Sequence, residues 1–452
     1  MKNIRILNNK KYLVALWVIF LILKLAATFY YFKENRSIDE IGFGFGGYIN
    51  NLRNDFNYID CSENICLHSS RMPLIPLFYS ALSKISTQQL IIGLLKNILM
   101  SLYFFAAFFF LIKCDEKIYK KTISYWSTLI TIWVLLPPII KHATQLTYEE
   151  GLLIEWAPIW TFSFLLSTKL LLTNNIKGKY QIGCISLCIL QATLMLATKS
   201  SLILITIASF ILGLMILIKT KSKFLIAIIT ICSLCLIGWA YHNKVNSNHF
   251  TIMTSQDGSN LHRGHNSISY LLYPDISLDR IYETDLILNK NGEAIETVNF
   301  PPLKYFKSEW DWNDYYRKLA LDWAFKNPKD EFNFTLKKIT NFFISINRSP
   351  SPSIDEGNNF IKNIENYSII ISIVIGRLLE LLLILLIITR WIENKNDNRA
   401  IIITIIIANL AYAIPYIIGF NYERHITVYF TIVGVSFIVL LSNSKKHILS
   451  TN

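Results

Sequence analysis

Residues 12–23 read YLVALWVIFLIL, an unbroken apolar run that Lys24 interrupts only briefly before LAATFYY continues it to Tyr31. Two more stretches repeat the pattern, LYFFAAFFFLI at 102–112 and IIITIIIANLAYAI at 401–414. An apolar run of about 18 residues or more is long enough to cross the hydrocarbon core of a bilayer. The whole chain agrees with these windows: 452 residues, 52% hydrophobic and 17% charged, with mean hydropathy +0.38. That balance excludes an ordinary cytosolic enzyme, a disordered chain and a small disulfide scaffold.

The net charge of +13 is distributed as topology requires rather than as a nucleic-acid footprint. Basic clusters fall at Lys2, Arg5, Lys10 and Lys11, at Lys113, Lys117, Lys120 and Lys121, and at Lys177 and Lys179. Others fall at Lys219, Lys221 and Lys223, at Arg390, Lys395 and Arg399, and at Lys445 and Lys446. Every second connection is thus short and basic, as cytoplasmic loops are. This layout predicts an all-α multi-pass membrane protein of about ten spans, near 12–31, 88–112, 123–141, 152–173, 181–198, 201–218, 224–241, 364–389, 400–418 and 426–442, with both termini inside. Basic flanks make the first span look like a signal peptide, but no small-residue cleavage site follows, so it reads as a retained anchor. No repeat of fixed period is visible.

Three parts follow: an N-terminal membrane module (1–241) with an outer loop at 32–87, a large mixed outer domain (242–363), and C-terminal spans (364–452). Within the outer domain, 251–275 carries too much Gly, Asn and Ser for a helix and reads as loop. A helix is expected over about 314–326. A second opens at Asn327-Pro328, with Asn327 as N-cap and Asp330 and Glu331 in the first turn. Cys61 and Cys66 share the first outer loop at a spacing that suits either a small disulfide or two free thiols. No metal-type Cys/His spacing appears.

The first outer loop opens SIDEIGFGFGGYINNL (37–52), where Ser37 and Glu40 form an S-x-x-E capping box. That leaves Asp39 without a structural duty, either as a carboxylate able to accept a proton from a hydroxyl or as a mere complement to the helix dipole. Gly42, Gly44 and Gly47 match G-x-G-x-x-G, but no strand precedes them, so a dinucleotide site is rejected. In RMPLIPLFYSALSKI (71–85), Pro73 and Pro76 suggest a short interfacial helix. Arg71 suits bidentate phosphate binding or simple anchoring. In KHATQLTYEEGLLIEW (141–156), Glu149 and Glu150 lie at the membrane surface and Glu155 just inside it. Lys24, Lys96, Lys199, Arg377 and Glu380 are further intramembrane or boundary charges. Arg377 and Glu380, three apart, suit mutual neutralisation. Lys199 suits either a lipid phosphate or snorkelling. The segment 255–275 gathers Asn260, His262, Arg263, His265 and Asn266, a set fit for sugar hydroxyls and a phosphate, or for a solvated loop. Glu423, Arg424 and His425 sit between the last two spans as an anion site or a hydrophilic turn.

In order and sidedness these segments resemble the bacterial GT-C glycosyltransferases of the protein-mannosyltransferase and aminoarabinose-transferase type. The matching pieces are Asp39-Glu40 followed by Gly and Tyr48, an R-x-P-x-x-P-L run (71–77), and G-x-N-L-x-x-G-x-N (258–266). An Ala-x-Lys-Asn-Pro junction (324–328) and Glu-Arg-His (423–425) complete the set. The resemblance covers most of the chain through loose motifs, and Lys199 stands where the family more often has Arg. It implies a transferase moving a monosaccharide from a polyprenyl-phosphate donor to an extracytoplasmic hydroxyl, with inversion, at the outer face of the bacterial inner membrane. Asp39 would be the general base, with Glu40 beside it. Arg71, Lys199, Arg424 and His425 would bind the donor phosphate, while Asn260, His262, Arg263, Asn266, Glu149 and Glu150 would contact substrate. The implied partners are the lipid-linked sugar, a lipid, glycan or protein acceptor, and membrane lipids, with no nucleic acid. Some relatives use a divalent metal ion, so one is a candidate cofactor. The competing readings are an O-antigen polymerase or ligase, which resembles this chain less in the first loop, and a lipid-linked oligosaccharide transporter, which often shows internal repeats.

Overall fold

The computed structural model of the chain describes residues 2–32, 36–41, 44–61, 65–118, 137–172, 179–273, 286–288, 294–296, 301–344, 359–393, 396–419 and 423–443. Apart from one antiparallel hairpin, β1 (Leu286–Leu288) against β2 (Ala294–Glu296), the regular structure of these residues is helical. Eight described helices carry a stretch long and apolar enough to cross a membrane. Each falls on an expected span: α1 (Lys2–Tyr31), α4 (Gln89–Ile118), α7 (Lys179–Thr198), α8 (Ile203–Thr220), α9 (Lys223–Ser247), α14 (Asn359–Ile392), α15 (Asn396–Ile418) and α16 (Glu423–Asn443). The break expected near Ala197–Ser201 is real. Lys199 is extended (φ −148°, ψ 116°) between α7 and a 3-10 turn over Ser200–Leu202.

Two expected spans stand apart from the eight. Most of 123–141 lies outside the described residues, and α5 (Pro137–Thr144) is the part seen. The span expected at 152–173 is α6 (Glu150–Leu172), which Glu155, Pro158 and Lys169 interrupt. Almost every side chain of α6 is buried, and α4, α5, α7, α15 and α16 all pack on it. A helix enclosed on all sides keeps polar residues only where partners meet them. Glu155 of α6 accordingly pairs with Lys24 of α1, whose ammonium also donates to Ser101 Oγ at 3.0 Å. Lys96 of α4 donates to the carbonyls of Ala143 and Gln145 at 2.7 and 2.6 Å. The expected Arg377–Glu380 pair forms at 2.8 Å, and Arg377 reaches further, to the Phe342 carbonyl at 2.6 Å.

The loop after α1 holds a 3-10 turn (Ile38–Glu40), α2 (Gly46–Asp55) and α3 (Leu74–Ser83), with Pro73 at the N-cap of α3. Cys61 and Cys66 are disulfide-bonded. The expected capping box is only half made. Ser37 Oγ accepts from Asp39 N at 3.3 Å and opens one 3-10 turn rather than a helix, because Ile38 N is taken by Thr87 O (2.7 Å) and Gln89 N donates to Arg36 O.

The segment 251–275 is not a loop throughout: α10 (Asp257–Arg263) and α11 (Ser267–Leu272) lie within it. Its small polar residues are caps and contacts. Asn266 Oδ1 accepts from Ser269 N at 2.8 Å to start α11, and Asp257 Oδ2 accepts from Thr254 N at 2.8 Å. Gly258 packs against α12 (Glu309–Lys326) so closely that a Cβ would stand 2.0 Å from Asn313 O. Helix α12 also starts at Glu309, ahead of the expected residue 314, because Ser308 Oγ caps Asp311 N at 3.1 Å. Helix α13 (Pro328–Phe343) begins at the proline as expected, but Asn327 makes no side-chain cap. Its amide instead donates back to Trp323 O at 3.0 Å.

One carboxylate joins the parts. Glu309, buried at 4% exposure, accepts from His68 N and Ser69 N at 3.0 Å, from Ser255 Oγ at 2.7 Å and from Ser247 Oγ at 3.4 Å. The 32–87 loop, the end of α9 and the 242–363 segment thus meet on a single side chain.

Candidate functional site

The expected charged residues converge where α6 and α16 begin and α7 ends. Glu150, in the first turn of α6, is 0% exposed. Lys199 Nζ lies 2.6 Å from its Oε1, His425 Nε2 3.1 Å from the same oxygen, and Arg424 Nε 3.3 Å from Oε2. His425 Nε2 is also 3.2 Å from Lys199 Nζ. A ring nitrogen either donates or accepts, so it serves the carboxylate or the ammonium, not both at once. Glu149 extends the cluster, with Lys199 Nζ at 3.9 Å and Arg71 Nη1 at 4.0 Å. Burial lowers the affinity of the Arg71 guanidinium for its proton; Glu149 opposes that, while the nearby charge of Arg263 adds to it.

Aromatic rings wall the cluster. Tyr416 stacks on His425 with centroids 4.1 Å apart, Tyr148 lies under the Arg424 guanidinium at 4.5 Å, and Phe45 lies under Arg71 at 5.1 Å. Tyr412 Oη donates to the His425 carbonyl at 3.1 Å. The side chains of Arg71, Glu149, Lys199 and Arg424 remain 18–21% exposed, so an approaching anion reaches them. It does not reach Glu150, expected as a substrate contact, whose carboxylate sits behind the cations and holds them in place. Counting His425 as neutral, Arg71, Lys199, Arg263 and Arg424 exceed Glu149 and Glu150 by two positive charges.

Asp39 lies on the adjoining loop, and it does carry a structural duty: Arg53 Nη2 binds its Oδ2 at 2.8 Å. Its Oδ1 is buried without a hydrogen-bond partner among the described residues. Gly44 adopts φ +71°, a conformation glycine takes without strain. A Cβ on Gly46 would stand 2.1 Å from the Asp39 carbonyl. The glycines therefore fold the 39–46 loop back so that Phe45 meets Arg71. They serve packing, in keeping with the rejected dinucleotide reading; Gly42 lies outside the described residues. Glu40 is exposed.

The remaining candidates divide. Arg263 and Asn260 are partly exposed and joined at 3.4 Å. His262 and Asn266 are buried, 5% and 6% exposed, and not in a solvated loop. Burial, then the neighbouring His265, pushes the His262 imidazole down to about 4. Sequence reasoning missed a second junction nearby. His265 Nδ1 faces Glu331 Oε2 at 2.9 Å and its Nε2 faces the Ile418 carbonyl at 2.6 Å. Lys338 Nζ donates to the carbonyls of Gly264 and Ile418, both at 2.9 Å. The available signal was Lys338, a charge four positions after Phe334 and so on the same helix face. Among the described residues no group of three or more His, Cys, Asp or Glu is placed to hold a metal ion, and no step below is routed through one.

Fold and charge cluster together define a multi-pass helical membrane protein with a cation-rich site at one end of its bundle. No protein-family model, no curated protein and no solved structure matches this chain.

Proposed function

We propose that this chain is an integral membrane glycosyltransferase that moves a monosaccharide from a polyprenyl-phosphate donor to a hydroxyl on the extracytoplasmic side, with inversion. The observation that carries this reading is the meeting of Arg71, Lys199 and the Arg424–His425 pair, from three separate segments, around two carboxylates at one end of the bundle, with the charge of Arg263 close to Arg71. The acceptor oxygen attacks the anomeric carbon, the bond from that carbon to the phosphate oxygen breaks, and the electron pair leaves with polyprenyl phosphate. The phosphate group thereby passes from one negative charge as a diester to nearly two as a monoester. A site holding about two excess positive charges before the reaction suits the product, and the transition state on the way to it, better than the substrate. The acceptor proton goes to the Asp39 carboxylate, whose direction Arg53 fixes through Oδ2. The Cys61–Cys66 disulfide, in the loop that carries Asp39, supports an oxidising compartment for that loop.

The test is transfer of radiolabel from a panel of polyprenyl-phosphate sugars to a cell-envelope acceptor extract, with purified protein in detergent. Label moves with wild type and not with Asp39→Ala. Lys199→Ala or Arg424→Ala lowers the rate roughly 10²- to 10³-fold, as loss of one charge-stabilising donor does. Equal transfer by Asp39→Ala removes that residue from the chemistry. Absence of transfer from every donor, with folded protein, favours a transporter.

A further inference from the structure

Helix α13 has three faces, and the core accounts for only one. Phe334, Lys338, Asn341 and Phe342 are buried against the protein. About 140° around the helix, Phe332, Leu336, Ile339 and Phe343 follow one another at spacings of four, three and four, the spacing of a single apolar stripe. Phe332 and Leu336 are 63% and 44% exposed, and Ile344, just past the helix, is 68% exposed. The remaining arc is polar: Lys329, Asp330, Asn333, Lys337 and Thr340.

The stripe runs into the membrane-embedded surface. Lys338 lies level with the end of α15, since its ammonium holds the Ile418 carbonyl. Four residues on, Phe342 and Phe343 meet the ring of Tyr429, within the span Arg424–Leu441, at 5.0 and 5.7 Å. Phe342 O also accepts from Arg377, within the span Ile370–Ile392. The C-terminal half of α13 therefore lies level with the neighbouring ends of α15 and α16. Near Arg377, α14 carries exposed apolar residues of its own, Val374 and Leu378.

We infer that α13 is an interfacial helix, with Phe332, Leu336 and Ile344 immersed in the lipid leaflet nearest the cation cluster and the Lys329–Lys337 arc in the headgroups. An apolar stripe beside a polar arc carrying two lysines is what such a helix requires, and aromatic side chains at this depth suit the interface. The occupant is bilayer lipid rather than a second protein surface, because the last turn of α13 packs on Tyr429 and Arg377 of two membrane-spanning segments. This inference does not depend on the transferase reading.

The test places nitroxide labels at Phe332→Cys, Leu336→Cys, Asn333→Cys and Lys337→Cys in a Cys235→Ser background, in phosphatidylethanolamine–phosphatidylglycerol nanodiscs. Oxygen collides with the labels at 332 and 336 several-fold more than a water-soluble nickel chelate does, and the preference reverses at 333 and 337. Equal access of the chelate at all four sites puts the stripe in water and overturns the inference. Exclusion of both reagents at 332 and 336 means a protein partner or a second copy covers it, and also overturns it. A lipid-borne diazirine on the unsubstituted protein checks the result without variants: adducts concentrate at Phe332, Leu336 and Ile344, and their absence from residues 328–344 counts against immersion.

Discussion

Glu150 and Glu149 are neighbours in sequence with opposite surroundings, and the difference makes a sharp comparison. Glu150 is fully buried against Lys199, Arg424 and His425, so removing its charge strands cations that have no other enclosed counter-ion. Glu150→Gln is expected to cost about 3–5 kcal/mol, the usual penalty for breaking a buried pair on one side, read as thermal unfolding in detergent. Glu149→Gln, partly exposed with its partners near 4 Å, costs no more than about 1 kcal/mol. His262 makes a second prediction, in pH. Its imidazole is held down to about 4 in the folded chain, chiefly by burial, against about 6.5 when unfolded. Below pH 6.5 the unfolded state takes up the proton first, so stability falls as pH drops toward 4, by about 3 kcal/mol in all. His262→Gln flattens that window in thermal melts across pH 4–7; an unchanged slope would place the dependence elsewhere. The residue types in this site were legible in the sequence, since Lys199, Arg424 and His425 stand at span boundaries where charge is costly and Arg71 opens the Pro-broken segment before α3. Their roles were less so. Nothing in Tyr-Glu-Glu distinguishes the carboxylate that meets solvent from the one behind it, because that depends on where α7 and α16 arrive.

At the scale of the element, glycine separates close packing from open surface. Gly258→Ala drives a methyl group toward Asn313 O, a backbone atom that cannot turn aside. It prises α10 from α12 at about 1–3 kcal/mol, lowering the melting temperature. Gly238 in α9 has nothing within 4 Å of its added Cβ, and Gly238→Ala raises stability by up to about 1 kcal/mol. A drop for both would mean the contrast is not one of packing. The same segment shows why its helices were hard to read. A run rich in Gly, Asn and Ser resembles a loop whenever those residues lack partners. Here Asn266 caps α11, Asp257 closes the turn before α10, and Gly258 lets two helices touch. The two side-chain caps act within three residues, whereas the role of Gly258 rests on a contact 55 residues away. The early start of α12 was visible in principle, because Ser308 and Asp311 form an S-x-x-D cap of the kind noticed at Ser37.

For the molecule as a whole, alternating basic connections were the strongest signal. Eight expected spans meet their helices within a few residues, apart from the extensions at α1, α4, α9 and α14, where the polar ends of the helices continue beyond the apolar run. Helix α6 defied the pattern for the opposite reason: it is so enclosed that it no longer needs an unbroken apolar surface. The sidedness has a direct test. With cells intact and Cys235→Ser in place, a membrane-impermeant maleimide labels Cys61 and Cys66 only after reduction, two labels per chain, whereas the free cysteines Cys114, Cys184, Cys188 and Cys232 are buried and stay silent. Labelling only after lysis reverses the proposed orientation of that loop, whereas labelling of intact cells without reduction keeps the orientation and contradicts the disulfide.

The Lys24–Glu155 pair has a consequence for how the chain is made. The two side chains are 131 residues apart, so at roughly 5–20 residues per second the ribosome works on for several seconds after the first helix is ready before its carboxylate emerges. During that interval Lys24 has no carboxylate to meet it in the bilayer; Ser101, 77 residues on, offers it a first hydroxyl. The insertion machinery must therefore keep α1 beside the exit site, or let it slip outward, until α6 arrives. Glu155→Leu alone should lower the yield of membrane-inserted protein, and Lys24→Leu added to it should restore the yield, although the double variant has lost the ion pair altogether. On that account the pair is a checkpoint in biogenesis, with the first helix held on loan until its counterpart is synthesised.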